Sequence, residues 1–273
     1  MKDFKKFIWP GCTALVTGAS SGMGLEYSRQ LAASGCRVVM VSNQQQELER
    51  CADELRSAYS AEIWPLYCDL ARNEAVDELF GICQQKGLEI DILINNAGIF
   101  FFKELKGEVC EVGDKMLFLH VITPTRLCER FGEGMKARGR GYMLNVSSVT
   151  AGMSAPGLTM YAATKSYLRS FSKSLYYEMK PYGVGVTVVC PGAVSTGLYA
   201  VLPVLVKILK VAGKFGLVYS PEKLVRKALT AMFRRKRCKT PGWFNLLFAP
   251  AVNALPKRVV NRVWAKVSEK TEN

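Results

Sequence analysis

The sequence predicts a doubly wound α/β fold, three layers deep, with a parallel sheet at its centre. Three observations carry this expectation. Short runs rich in β-branched residues, such as Arg37-Val-Val-Met-Val41 and Val184 to Val189, alternate with longer segments of helical period. These runs are largely apolar, as strands covered on both faces are. A glycine-rich turn, Thr17-Gly18-Ala19-Ser20-Ser21-Gly22-Met23-Gly24, separates the first run from the first helical pattern. No linker, repeat or low-complexity stretch divides the 273 residues, so one domain spanning 1–273 is expected.

The elements follow in order. Residues 12–17 form the first strand, and a helix runs from the glycine-rich turn through Ala33, stopped by Gly35. Residues 37–41 are the second strand and a charged helix continues to about residue 58. Ile63 to Tyr67, a helix over 73–86 and a strand from Asp91 to Ile94 come next. A long helical region covers roughly 108–137, and Tyr142 to Val146 make the fifth strand. Residues 161–182 are a helix, Val184 to Val189 the sixth strand, and 221–235 a further helix.

Composition narrows the function classes. Nine cysteines are scattered, with no C-x-x-C pair, which suits reduced thiols better than a disulfide framework or a zinc site. With a single histidine, no metal site is expected. The apolar part of the N-terminus is only Phe7 to Trp9, shorter than the ~7–15 residues of a secretory signal, and no uncharged run approaches the ~18 residues of a spanning helix. A cytoplasmic protein is expected. The net charge of +14 is concentrated at one end: residues 201–273 hold 16 Lys/Arg against 3 Glu.

Chemistry is suggested first by Tyr161 and Lys165. Residues at i and i+4 share one helix face, so phenol and ammonium can enter one pocket. A free tyrosine has a pKa of about 10, and a nearby cation lowers it; a shift of roughly 3 units needs about 4 kcal/mol. Ser148, thirteen residues before the tyrosine, could hold a carbonyl or carbinol oxygen for proton transfer. Taken alone, Tyr-x-x-x-Lys is equally a solvated surface pair. The Gly18 to Gly24 turn offers close backbone approach and a helix N-terminus to a pyrophosphate, although its G-x-x-x-G-x-G spacing departs from the generic fingerprint.

These pieces, with Asp69 after the third strand, Asn95-Asn96-Ala97-Gly98 after the fourth and Pro191-Gly192 followed by Thr196, resemble the short-chain dehydrogenase/reductase family over residues 11 to about 198. The resemblance implies a Rossmann-like fold binding a nicotinamide dinucleotide at the C-terminal strand edge. It implies that Gly18, Ser20, Ser21, Gly22, Met23 and Gly24 shape the pyrophosphate site. Asp69 and Leu70 would lie at the adenine, with a helix N-cap as the competing role for Asp69. Asn95 would sit by the adenosine ribose, near Ala97 and Gly98, with turn stabilisation the other role of the Asn95-Asn96 pair. Pro191, Gly192, Val194 and Thr196 would position the nicotinamide. Tyr161 would be the acid/base, Lys165 would hold the nicotinamide ribose and lower the tyrosine pKa, and Ser148 would orient the substrate oxygen. Ser42 and Asn43 close the second strand where NAD enzymes carry a carboxylate, which favours NADP(H) without excluding NAD(H).

His120 stands where the family usually has an asparagine that completes the catalytic tetrad through its main-chain carbonyl. It is either a catalytic histidine or a helix histidine hydrogen-bonded at a kink. Residues 197–220 are aliphatic and would form a lid, with Tyr199, Leu202 and Leu205 as candidate contacts to an apolar substrate; core packing is the other reading. The run Phe233 to Lys239 and the aromatic, basic residues 236–273 form a C-terminal extension. It suits an anionic membrane surface in preference to nucleic acid, and equally a solvated basic face. The expected protein is therefore a ketone/secondary-alcohol oxidoreductase for an apolar ketoacyl, lipid or steroid-like substrate, a homo-oligomer, with peripheral membrane contact through the extension. The alternative is an NADP(H)-binding sensor or scaffold.

Overall fold

The computed structural model describes residues 4–101, 110–153, 157–195 and 218–242, with 245, 254, 256, 258, 262 and 265 beyond them. Seven strands form one sheet: β1 (Thr13–Thr17), β2 (Arg37–Ser42), β3 (Ile63–Tyr67), β4 (Ile92–Asn95), β5 (Gly141–Val146), β6 (Val184–Val189) and β7 (Cys238–Lys239). Every pairing is parallel and the order is β3-β2-β1-β4-β5-β6-β7. The chain reverses direction of travel between β1 and β4, which opens a crevice at their carboxyl ends.

The largely apolar strands are explained by the two faces they serve. In β1, Ala14 and Val16 enter one core while Leu15 enters the other, and in β4 Ile92 and Ile94 oppose Leu93 in the same way. One face is covered by α1 (Gly22–Ala32), α2 (Gln45–Tyr59) and a helix over Pro221–Phe233, whose Leu31, Leu48 and Leu229 are buried there. The other is covered by α3 (Ala75–Gln85), a helix over Thr123–Ala137 and one over Thr159–Met179, with Leu79, Leu127 and Met179 buried. Pro65 lies in β3, an edge strand, where a missing N–H is tolerated.

The helical region expected over 108–137 is two α-helices, α4 (Cys110–Leu117) and α5 (Thr123–Ala137), joined by a π-turn at Phe118–Ile122. Pro124 explains the break: it has no N–H to give the carbonyl of His120, so the regular ladder cannot pass through. The helix predicted over 161–182 is α6 (Thr159–Met179) followed by a 3₁₀ turn at Lys180–Tyr182, and the last is α7 (Pro221–Phe233).

The basic run at 233–239 is partly built into the fold. Phe233 is buried against Phe4, Phe7 and Tyr142, and Cys238–Lys239 add the parallel edge strand β7 to β6. The sequence hid this strand because two residues flanked by cations carry no periodicity. Thr196, Tyr199, Leu202 and Leu205, almost all of the 197–220 segment and most of the 236–273 extension lie outside the described residues. Among the described residues no helix is long and apolar enough to cross a membrane, and no cluster of His, Cys, Asp or Glu could hold a metal.

Candidate active site

A cavity of about 430 Å³ lies over the crevice. Its floor is built by two βα turns that are stapled together. Thr17 Oγ1 accepts the N–H groups of Asn96 and Ala97, each at 3.0 Å, and donates to the Ile94 carbonyl at 3.3 Å. The Asn96 amide donates back to the Thr17 carbonyl at 3.0 Å. These bonds bring Gly18, Ser20, Ser21, Gly22 and Met23 to one wall and Ala97 and Gly98 to the next.

Gly18 and Gly22 have φ of 65° and 54°, which side chains other than glycine rarely adopt. Helix α1 starts at this turn with no side-chain cap, and its first residues, Gly22 and Met23, line the cavity. Helices α2, α3, α5 and α6 also begin without a side-chain cap, so what sets α1 apart is the glycine-lined cavity in front of it. An uncapped helix start beside glycines is a fit place for a pyrophosphate. Gly24 does not line the cavity. A Cβ there would lie 1.9 Å from the Gly18 carbonyl oxygen, so Gly24 lets α1 pack on its own turn. Gly24→Ala is expected to cost about 1–3 kcal/mol or more of stability through backbone overlap, measurable as a lowered urea midpoint.

At the β2 end, Ser42, Asn43 and Gln44 line the cavity and no carboxylate stands among them. The Ser20 and Ser42 hydroxyls share a hydrogen bond of 2.9 Å, and Gln44 N–H donates to Ser42 Oγ at 3.2 Å. Asp69 and Leu70 also line the cavity. Asp69 is not a helix cap: its carboxylate accepts the Ala71 N–H at 3.1 Å in a local turn, and α3 begins only at Ala75.

Asn95 was expected beside the adenosine ribose. It does not line the cavity but is buried beneath it, donating to Asn145 Oδ1 at 2.8 Å; Asn145 in turn donates to Ser172 Oγ at 2.8 Å. The pair is a core tie from β4 through β5 to α6, because the last residue of β4 points inward while the next points out. Asn96 is the member that reaches the cavity.

Ser148, Tyr161, Lys165 and His120 all line the same cavity, as do Pro191, Gly192 and Val194. Ser148 Oγ accepts both the N–H and the hydroxyl of Thr150, at 3.2 and 3.0 Å, which leaves its own proton to be given to a third oxygen. The Lys165 ammonium donates to the Val146 carbonyl at 3.1 Å and lies 5.7 Å from the Tyr161 ring centre. Burial pushes the Lys165 pKa down to about 7, with Cys190 opposing the fall. The cation expected to assist Tyr161 is thus itself poised near neutrality, and loses charge as pH rises through about 7.

His120 sits in the π-turn, buried, with its ring edge-on to Tyr161 at 5.7 Å. The Ile99 N–H donates to its Nε2 at 3.2 Å, so the ring proton is on Nδ1 and is given to Thr164 Oγ1 at 3.0 Å. Thr164 passes the chain on to the Tyr161 carbonyl at 3.0 Å. Both ring nitrogens are therefore occupied, and burial with the neighbouring Lys165 holds the imidazole pKa well below its ordinary value. The ring ties the Gly98–Ile99 turn to α6. Because it is the chain's single histidine, its ring nitrogens give one pair of NMR signals. Those signals are expected to show the neutral Nδ1–H tautomer with no titration near pH 6.5; a normal titration would contradict the clamp.

Several lining residues escaped sequence reasoning. Ile99, Leu119, Ser147, Val146, Cys68 and Gln44 border the cavity, and Phe100 stacks edge-on against Tyr161 at 4.9 Å. Met116, Leu158 and Ala162 cluster with Tyr161, flanked by Phe100, Phe101 and Met160. Asn245 packs on Gly192, where a Cβ would lie 2.3 Å from its Oδ1. Of the lining residues not expected beforehand, Asn96 stands in the Asn95-Asn96 motif already visible in the sequence; the others depend on how loops converge.

The family model described as short chain dehydrogenase matches residues 12–203. A very-long-chain 3-oxoacyl-CoA reductase of Anas platyrhynchos is 32% identical over 190 residues, which are 68% of this chain and 61% of that protein. The Homo sapiens protein of the same description is 28% identical over 265 residues, 94% of this chain and 80% of that one. The matched stretch thus spans less than two thirds of the first relative and four fifths of the second. Among solved structures, a short-chain dehydrogenase from Sphingobium yanoikuyae in complex with NADPH has a TM-score of 0.73 at 26% identity, covering 91% of this chain and 94% of that chain.

Proposed function

The chain belongs to the short-chain dehydrogenase family, and from that premise we propose that it is an NADP(H)-dependent oxidoreductase interconverting a ketone and a secondary alcohol on an apolar, acyl-chain or steroid-like substrate. The observation that carries this reading is the meeting of Ser148, Tyr161 and Lys165 on one wall of a cavity whose opposite end is a glycine-lined, uncapped helix start. When bound there, the nicotinamide supplies or accepts the hydride. Ser148 donates its remaining proton to the substrate oxygen, and Tyr161 gives or takes the proton on that oxygen. Lys165, when protonated, favours the phenolate. His120 holds the turn and helix that carry these groups, and its main-chain carbonyl would serve the lysine relay that the family builds there.

The apolar substrate class rests on Ile99, Phe100, Met116, Leu158 and Met160 around Tyr161, and on the reductase description of the Anas platyrhynchos and Homo sapiens relatives. NADP(H) in preference to NAD(H) rests on Ser42, Asn43 and Gln44 with no carboxylate at the end of β2. We place the protein as a single domain, a homo-oligomer on the cytoplasmic side, with its basic C-terminal quarter supporting contact with anionic bilayers. The test is NADPH oxidation over 3-oxoacyl thioesters, steroid ketones and aliphatic ketones. Turnover of a long-chain or steroid ketone, with small polar ketones inert, is the expected result. Tight NADPH binding with no turnover on any of them would leave a cofactor-binding sensor instead.

A further inference from the structure

A further cavity of about 480 Å³ shares no lining residue with the cofactor cavity. It lies between α7 and the edge strand β7. Arg226, Thr230 and Arg234 follow one another at four-residue spacing, so they stand on one face of α7 and its C-terminal end. Lys236 and Lys239 reach the same space from the turn and from β7.

The fold holds these positions firmly. The turn is fixed by Arg235 at φ 51° and by the Lys236 N–H on the Ala231 carbonyl at 2.9 Å. Thr187 Oγ1 donates to the Lys236 carbonyl at 2.8 Å, and Cys190 N–H to the Lys239 carbonyl at 2.8 Å. Lys227, also on the lining, is anchored by its Nζ on the Tyr219 hydroxyl at 3.2 Å.

What is missing is a counter-charge. No carboxylate lines the cavity among the described residues. Elsewhere Arg29, Arg50, Arg56, Arg72 and Arg130 all meet a Glu or Asp, whereas Arg226, Arg234, Lys236 and Lys239 form no ion pair among the described residues. The Thr230 hydroxyl spends its proton on the Arg226 carbonyl at 2.7 Å, so the donors facing the cavity are the cations themselves. Like charges gathered around one hollow repel, and a multivalent anion removes the repulsion. Guanidinium forks match the tetrahedral oxygens of a phosphate, and lysines add point charges to it.

We infer that this cavity is a binding site for a phosphate group, borne either by a soluble phosphoester or by an anionic phospholipid headgroup. The site is independent of the oxidoreductase reading. The test uses full-length protein and a variant carrying Arg226→Gln, Arg234→Gln and Lys239→Gln, none of which touches the cofactor cavity. Inorganic phosphate is titrated calorimetrically with saturating NADPH present, to block the pyrophosphate site, and again without it. Flotation with vesicles containing phosphatidylserine, against vesicles of phosphatidylcholine alone, forms the second arm.

The expected result is saturable phosphate binding by the wild type that weakens at least tenfold in the variant, with NADPH affinity and the circular dichroism spectrum retained. A matching severalfold loss of flotation on phosphatidylserine identifies the headgroup as the source, while unchanged flotation identifies a soluble phosphoester. Phosphate binding that is absent in the wild type, or equal in wild type and variant, overturns the proposal. Failure of NADPH to bind would count against the cofactor reading alone, because the wild-type and variant comparison without NADPH still reads the phosphate site.

Discussion

Tyr161→Phe is expected to lower kcat by roughly 10²–10⁴-fold while leaving NADPH affinity and substrate KM nearly unchanged. The substitution removes one oxygen and keeps the ring. That ring is buried at 6% exposure and packed edge-on against Phe100 and His120, so the α6 face and the turn at Gly98–Ile99 should survive. Stability should change by about 1 kcal/mol or less, the worth of a single hydrogen bond. A loss confined to kcat is the signature of a group used in the transition state. Steady-state kinetics with the best substrate from the ketone screen provides the measurement. Undiminished NADPH oxidation by the mutant would remove Tyr161 from the chemistry.

Lys165→Met is expected to do two things at once: abolish turnover and make the ligand-free protein more stable. Lys165 is buried at 5% exposure and donates to the Val146 carbonyl, and among the described residues it forms no ion pair with a carboxylate. Its folded pKa of about 7 lies below the ordinary 10.5, so between these values the unfolded chain binds more protons than the folded one. Stability is fully present above pH 10.5 and is lost as pH falls toward 7. Methionine fills a similar volume without the charge. At about 1.4 kcal/mol per pKa unit, and after discounting the lost hydrogen bond, the gain near pH 7 should be roughly 2–4 kcal/mol. Urea unfolding of both proteins from pH 7 to 10.5 measures it. The wild type should gain stability across that range, and the variant should show a flatter profile. A Lys165→Met protein less stable than wild type at pH 7 would mean that the ammonium has a partner and is not a strained, functional cation.

This trade has a physical origin. A site that must change the charge state of a buried oxygen needs a cation where the dielectric is low, and the same burial disfavours that cation while the site is empty. His120 resolves a related tension differently. It stays neutral by having both nitrogens engaged, so it adds no second charge beside Lys165.

Much of the molecule was legible along the chain. The strand runs Ile63–Tyr67 and Val184–Val189 begin and end where the sequence places them; Val184–Val189 lies inside the sheet and is buried at every position, whereas Ile63–Tyr67 is an edge strand and only partly buried. The glycine-rich turn and the i, i+4 pair of Tyr161 and Lys165 were equally readable, since both are local geometry. Three things were not. The inward turn of Asn95 depends on which of two adjacent residues ends a strand, a one-residue matter that reverses the direction of a side chain. Strand β7 is two residues long and exists because β6 offers an open edge, not because Cys238 and Lys239 favour extension. The cationic hollow needs α7, the turn at Arg235 and β7 to converge.

The sequence by itself determined the fold, the family and the groups able to move a proton, because these follow from spacing within single elements. Tertiary structure alone decided the state of those groups. The depressed pKa of Lys165, the neutral tautomer of His120 and the charges of Arg226, Arg234, Lys236 and Lys239, which form no ion pair among the described residues, all come from what other parts of the chain place beside them. Charge in a protein is set by its surroundings, and surroundings are assembled across the chain and not along it.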